Sequence, residues 1–176
     1  MNSTKLKNTK VVSNSGPLIH LAKIDYLWIL KELFGQILVP KDVKIETVDV
    51  GLKIGAPDSI VIQSAMEDGW IKIIDFDIPP RFQTYAKKFR VHVAELKVIL
   101  YAKSNNLLAL LDDFSARVLA DNLSVKVMGS LGIILLATKK SIINKKDALN
   151  ALDKIAKVMY LNIPLYLDVR DRIMKL

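Results

Sequence analysis

The chain has 176 residues, 51% of them apolar, which suits one domain with a sizeable core and excludes intrinsic disorder. Lysine and arginine number 26 against 18 acids, a formal net charge of +8; that balance fits a polyanion partner such as RNA and equally a lysine-rich solvated surface. Cysteine is absent and only two histidines are present, which excludes disulfides and thiolate metal sites, argues against structural zinc, and leaves oxygen ligands for hard cations.

Residues 1–9 are polar and lysine-bearing with no apolar segment of signal type behind them, and are expected to form a flexible basic tail. No apolar run is long enough to span a bilayer. No membrane role is therefore expected, and the location is expected to be cytoplasmic. A single domain is expected over 10–176, with C-terminal helices from about 144. Val11 to Asn14 reads as a first strand. Ser15-Gly16-Pro17 turns it into a helix, with Ser15 able to cap and Pro17 harmless in the first turn. Asp25 reads as the cap of a second helix that Gly35 stops. Ile37 to Val39 is a second strand, and Pro40 opens a helix expected to end at Gly51. A helix over 58–68, stopped by Gly69, precedes a strand over 70–75.

Pro79-Pro80 breaks the chain, and residues 81–90 form a short basic, aromatic helix or loop. Residues 93–105 follow helical spacing, closing at Asn105-Asn106. Leu107 to Leu111 is an apolar run without a polar partner, the pattern of a strand buried on both faces, and it ends on Asp112 and Asp113. Helices over 114–122, 131–138, 145–159 (capped by Asn144) and from Pro164 to the end follow, with a short strand over 124–128 between the first two. Alternation of this kind predicts an α/β fold: a mostly parallel sheet of about five strands with right-handed crossovers, in three layers with helices on both faces. Its first and fourth strands can lie side by side. In such sheets ligands bind beyond the carboxyl ends of the strands. Asn14, Asp112 and Asp113 end strands, and Glu46 and Glu95 sit on helices that can face them. Clustered carboxylates repel unless a cation neutralises them, and Mg²⁺ or Mn²⁺ accepts such ligands while keeping waters and substrate phosphates.

These stretches carry a resemblance: Val11-Val12-Ser13-Asn14-Ser15-Gly16-Pro17-Leu18-Ile19; Val39-Pro40 with Val43 and Glu46; Glu95 opening an apolar helix; Leu111-Asp112-Asp113 with Ala116-Arg117; and Met128-Gly129-Ser130-Leu131-Gly132-Ile133. In this order they resemble a PIN domain, in particular the VapC-like branch of nucleic-acid-binding PIN proteins, from about Lys10 to Ala137. The resemblance implies a PIN-like, Rossmann-like fold and a Mg²⁺- or Mn²⁺-dependent nuclease. It further implies the toxin of a toxin–antitoxin pair, with RNA as substrate, an antitoxin protein as partner, and assembly as a homodimer. It places the catalytic and metal-binding groups on Asn14, Glu46, Glu95, Asp112 and Asp113, and a basic residue after the aspartates on Arg117. Two departures matter. Asn14 is neutral where most active PIN nucleases carry aspartate, although asparagine is common at this place in the branch. Ala94 and Lys97 stand where the branch has a glycine and a further acid.

Several residues allow two readings. One of the two aspartates caps the helix at Phe114; Asp113 is the better placed, which makes Asp112 the first expected ligand. Glu95 alone is a first-turn acid favoured by the helix dipole, and Glu46 alone an ordinary helical acid. Lys97 either offsets negative charge or binds phosphate. Arg81, Lys87, Lys88 and Arg90 interleave with Phe82, Tyr85 and Phe89, either as a nucleic-acid-binding surface or as an amphipathic helix with inward aromatics. His20 and His92 read as packed or capping, and Trp28 and Trp70 as core or dimer-face residues. Two functional readings follow: a metal-dependent ribonuclease weakened by Asn14, and a degenerate PIN scaffold that binds RNA or protein without cutting. A nucleotide-binding reading lacks the glycine-rich loop it needs after the first strand.

Overall fold

Consecutive residues of a strand point to opposite faces of its sheet, and the first strand buries both. Val11 joins one apolar cluster and Val12 another, each fully buried. The same alternation recurs in the second strand, where Ile37 and Val39 face the first cluster and Leu38 the second, and in the fourth, where Leu110 opposes Ala109. Such strands need helices on both sides, and the structure, a computed structural model describing residues 9–176, supplies them. Apart from Thr9, the expected basic tail lies outside the described residues.

The elements run β1 (Lys10–Ser13), α1 (Ser15–Lys23), α2 (Trp28–Phe34), β2 (Gln36–Pro40), α3 (Lys41–Lys44), a π-helical turn (Ile45–Val50), α4 (Gly51–Lys53), α5 (Pro57–Glu67) and β3 (Ile71–Ile74). They continue with a 3₁₀ turn (Pro80–Phe82), α6 (Tyr85–Phe89), α7 (Val93–Asn105), β4 (Leu108–Leu110), α8 (Phe114–Asn122), β5 (Val127–Met128), α9 (Ser130–Lys139), α10 (Lys145–Val158) and α11 (Ile163–Lys175). All pairings in the five-stranded sheet are parallel, in the order β3-β2-β1-β4-β5. The α/β class, the parallel sheet of five strands and the neighbouring first and fourth strands are as expected. Val12 lies between Leu38 and Ala109, so β1 is central and its end meets that of β4. Among the described residues no helix is long and apolar enough to cross a membrane.

Local signals placed most boundaries, and the differences have physical reasons. Asp25 does not cap α2; it adopts a left-handed backbone at φ 65°, and its N–H and that of Tyr26 close the end of α1 by donating to Ala22 and Leu21 carbonyls. A short polar side chain tolerates that conformation. The N-cap position of α1 falls on Asn14, not Ser15, and its side chain makes no cap bond. Gly51 does not end its helix, which runs on to Lys53. A Cβ at Gly51 would stand 2.6 Å from the Cβ of Ser59 on α5, so this glycine serves close helix packing. β5 is shorter than expected because Ser124, at φ 57°, is still part of the turn after α8.

Candidate metal and nucleic-acid site

The carboxyl ends of β1 and β4 are tied together by the Asn14 N–H, which donates to the Leu110 carbonyl at 3.2 Å. Just beyond this junction lies a pocket of about 360 Å³ lined by Asn14, Ser15, Asp42, Glu46, His92, Val93, Ala94 and Glu95. The structure therefore brings three of the expected residues, Asn14, Glu46 and Glu95, to one cavity. β1 delivers Asn14, the π-helical turn after β2 delivers Glu46, and the first turn of α7 delivers Glu95. π-Helical turns inside α-helices recur at functional sites.

Asn14 is 4% exposed, and its Oδ1 is buried without a hydrogen-bond partner. Leaving such an acceptor unsatisfied costs roughly 1–3 kcal/mol. Glu95 accepts from the His92 N–H at 2.9 Å through Oε2. Burial pushes the Glu95 carboxyl above its ordinary range. The His92 N–H opposes this, while the charges of Asp113 and Glu46 add to it. These two acids thus lie close enough to Glu95 for their charge to be felt.

Asp112 and Asp113 part company. Asp113 caps α8, its Oδ1 accepting from the Ala116 N–H at 2.8 Å, and its other oxygen is left over. Asp112 turns the opposite way, into a closed set of donors. Its Oδ1 accepts from the Ser130 N–H at 2.7 Å and its Oδ2 from the Ser130 hydroxyl at 2.6 Å. His20 Nδ1 stands 2.7 Å from the same Oδ2, and because an ionised carboxylate only accepts, the ring donates. Asp112 so fastens the end of β4 to α1 and to the N-terminus of α9. Gly129 makes the fit possible: a Cβ there would lie 2.8 Å from Asp112 Oδ1 and 3.1 Å from Arg117 Nη1. Asp112, expected to be the first ligand, has both oxygens engaged, while Asp113 combines its cap with influence on the pocket.

Lys97 is engaged as well. Its Nζ meets Asp42 Oδ2 at 2.7 Å and its side chain is 19% exposed. This pair bolts α7 to α3 at the pocket's flank and neutralises one of its acids. Arg117 is exposed and has no ion-pair partner among the described residues. Arg81, Lys87, Lys88 and Arg90 are exposed too, while Phe82, Tyr85 and Phe89 turn inward onto the second apolar cluster. The packing of this stretch is thus that of the amphipathic reading, with its cations left on the surface. α6, which carries Lys87 and Lys88, packs against α7 and α8.

The residues that motif reading passed over are His20 and Asp42. Asp42 precedes Glu46 by one helical turn, a spacing that puts both on one face, so it was within reach of a helical pattern. His20 offers no such signal, since its partner lies 92 residues away.

Among the described residues no three His, Cys, Asp or Glu side chains stand close enough to form a ready ligand cage. The donors that line the pocket nevertheless fit a hard cation. They are oxygens, one of them the orphaned Asn14 Oδ1, and Mg²⁺ keeps several waters between itself and protein carboxylates.

A parallel sheet with an acidic pocket at the carboxyl end of its central strand has its pocket where α/β domains bind ligands. The chain belongs to the PIN domain family, whose model matches residues 10–175. No curated protein and no solved structure is significantly similar to it. PIN domains are nuclease-type domains that generally depend on divalent metal.

Proposed function

We propose that the protein is a Mg²⁺- or Mn²⁺-dependent endoribonuclease, and that it acts as a cytoplasmic, VapC-like toxin of a toxin–antitoxin pair, dimeric and restrained by an antitoxin protein. The observation that carries this reading is a pocket that brings Glu46 and Glu95 together with a buried, unpartnered amide oxygen at Asn14, with the Asp113 charge felt at Glu95. Asn14, Glu46, Glu95 and Asp113 would hold the ion, directly or through water, with Asp112 bracing the β4 end behind them. When bound, the ion would supply Lewis acidity toward a phosphodiester and lower the pKa of a water molecule. The chain's own part is to orient. Glu95 and Asp113 are held by the His92 and Ala116 N–H groups, so each presents its other oxygen without a loss of rotamer freedom on binding. Arg117 is the cation placed to meet a phosphate; Lys97, tied to Asp42, contributes its charge from the flank.

Purified protein is expected to cleave single-stranded RNA in Mn²⁺ or Mg²⁺. Glu95→Gln and Asp113→Asn, which keep their local hydrogen bonds, are expected to lower the rate roughly a hundredfold. Cleavage that survives EDTA and both substitutions would sink the mechanism. A second reading, a PIN scaffold that binds without cutting, is favoured by the neutral Asn14 and by the Lys97–Asp42 pair, which already places a cation beside the acids. Calorimetric titration with Mn²⁺ separates the two: saturable binding lost in Glu95→Gln supports the nuclease, and its absence supports the scaffold. A small antitoxin encoded by the neighbouring gene is the expectation that tests the toxin role.

A further inference from the structure

The residue after Asp113 is Phe114, and it is 79% exposed. It opens α8 directly after the N-cap Asp113, at the carboxyl end of β4, beside the β1 end that lines the acidic pocket. Isolated apolar residues on a surface are ordinary; Phe114 is not isolated in chemistry. Val118, one helical turn on, is 42% exposed, and between them in sequence lies Arg117, exposed and without an ion-pair partner among the described residues. α6, with Lys87 and Lys88 exposed, packs against the same helix. All the neighbouring aromatics of 76–101 pack with one another: Phe76 against Tyr101, and Tyr85 against both Phe82 and Phe89. Phe114 alone of this region keeps its ring in water.

We infer that Phe114 is a stacking platform for a base of single-stranded RNA lying next to the phosphate at the acidic pocket, with Arg117 gripping the adjoining backbone. This rests on the ribonuclease reading and assigns a residue to its preference for unpaired strands. An aromatic face offers nothing to a base pair already stacked on both sides, whereas an unpaired base can leave its neighbours and lie on the ring. The cations beside it hold the backbone without reading sequence, so stacking here sets strandedness and not a sequence motif.

The test is fluorescence anisotropy in EDTA with a short fluorescein-labelled RNA, single-stranded or annealed to its complement, against wild type, Phe114→Ala and Phe114→Trp. Phe114→Ala is expected to weaken single-strand binding roughly five- to a hundredfold and to leave duplex binding unchanged. Phe114→Trp is expected to retain single-strand binding, and its added indole emission should be quenched by the single strand beyond the response of Trp28 and Trp70 in wild type. Equal single-strand affinity in wild type and Phe114→Ala overturns the stacking role while leaving the nuclease reading intact. So does a Phe114→Ala variant whose only change is in sedimentation, which would make the ring a protein contact. A wild type that binds Mn²⁺ but no RNA overturns both.

Discussion

Glu95 is the residue on which the site's energetics turn. Burial and the negative charges of Asp113 and Glu46 hold its carboxyl above the ordinary range. The folded chain therefore binds this proton more tightly than the unfolded chain does. By linkage, stability attributable to Glu95 is greatest below the ordinary carboxyl range; it falls as pH rises through the interval between the unfolded and folded values, and stays reduced above it. Glutamine has the same shape, carries no charge and can still accept from the His92 N–H. In EDTA at neutral pH, Glu95→Gln is thus expected to have a higher urea midpoint than wild type, and the gap is expected to close on acidification below the ordinary carboxyl range. Added Mn²⁺ should reverse the order by stabilising wild type alone. A Gln variant less stable than wild type at neutral pH without metal would show that the carboxylate is not under strain. Asp112 presents the opposite case. Its three donors, from Ser130 and His20, satisfy the charge within the protein, so it needs no ion.

At the level of elements, the helix running from Lys41 to Lys53 matters most, since its π-helical turn carries Glu46. The Thr47 hydroxyl donates to the Val43 carbonyl at 2.8 Å, and the Gly51 backbone packs directly on Ser59 of α5. Gly51→Ala places a methyl 2.6 Å from the Ser59 Cβ. It is expected to cost about 1–3 kcal/mol in urea denaturation, and Gly51→Ala with Ser59→Gly should recover most of that loss. Failure of the second substitution to rescue would mean that the helix needs glycine for another reason. This element also shows where sequence reading stops. Gly51 looks like a helix stop because glycine is a poor helix former, yet here a tertiary contact decides its use. α7 and α8 lie at the residues expected because their ends are local: Asn106 closes one in the left-handed region, and Asp113 caps the other. The strand order was legible because alternating strands and helices admit few topologies. That Asn14, Glu46 and Glu95 reach one cavity was legible through the family resemblance. The different bonding of Asp112 and Asp113 was not, because neighbouring residues at a strand end face opposite ways and the partners of Asp112, Ser130 and His20, lie far off in sequence. The Lys97–Asp42 pair, 55 residues apart, has no local signature either.

At the scale of the whole molecule, the formal charge of +8 coexists with a pocket of acids, and the two are carried on different elements. The acids gather between the π-helical turn and α7, while Arg81, Lys87, Lys88 and Arg90 stand exposed on the segment that packs across α7 and α8. A polyanion approaching the metal-free protein is repelled at the pocket and attracted beside it. Binding of single-stranded RNA in EDTA should therefore be governed by counterion release at the cationic segment. Each phosphate neutralised contributes about −0.7 to the slope of log K against log salt for a single strand. If all four cations engage phosphates, the slope is expected near −2.8 from this segment, about four times −0.7. Lys87→Ala with Lys88→Ala should make it shallower by about 1.4 while leaving Mn²⁺ affinity unchanged. An unaltered slope in that double variant would mean that the RNA tracks over another surface, and that the excess lysines serve solubility alone. A shallower slope accompanied by tighter Mn²⁺ binding would mean that the lysines repel the ion through space, and that the cationic segment and the acidic pocket lie too close to act independently.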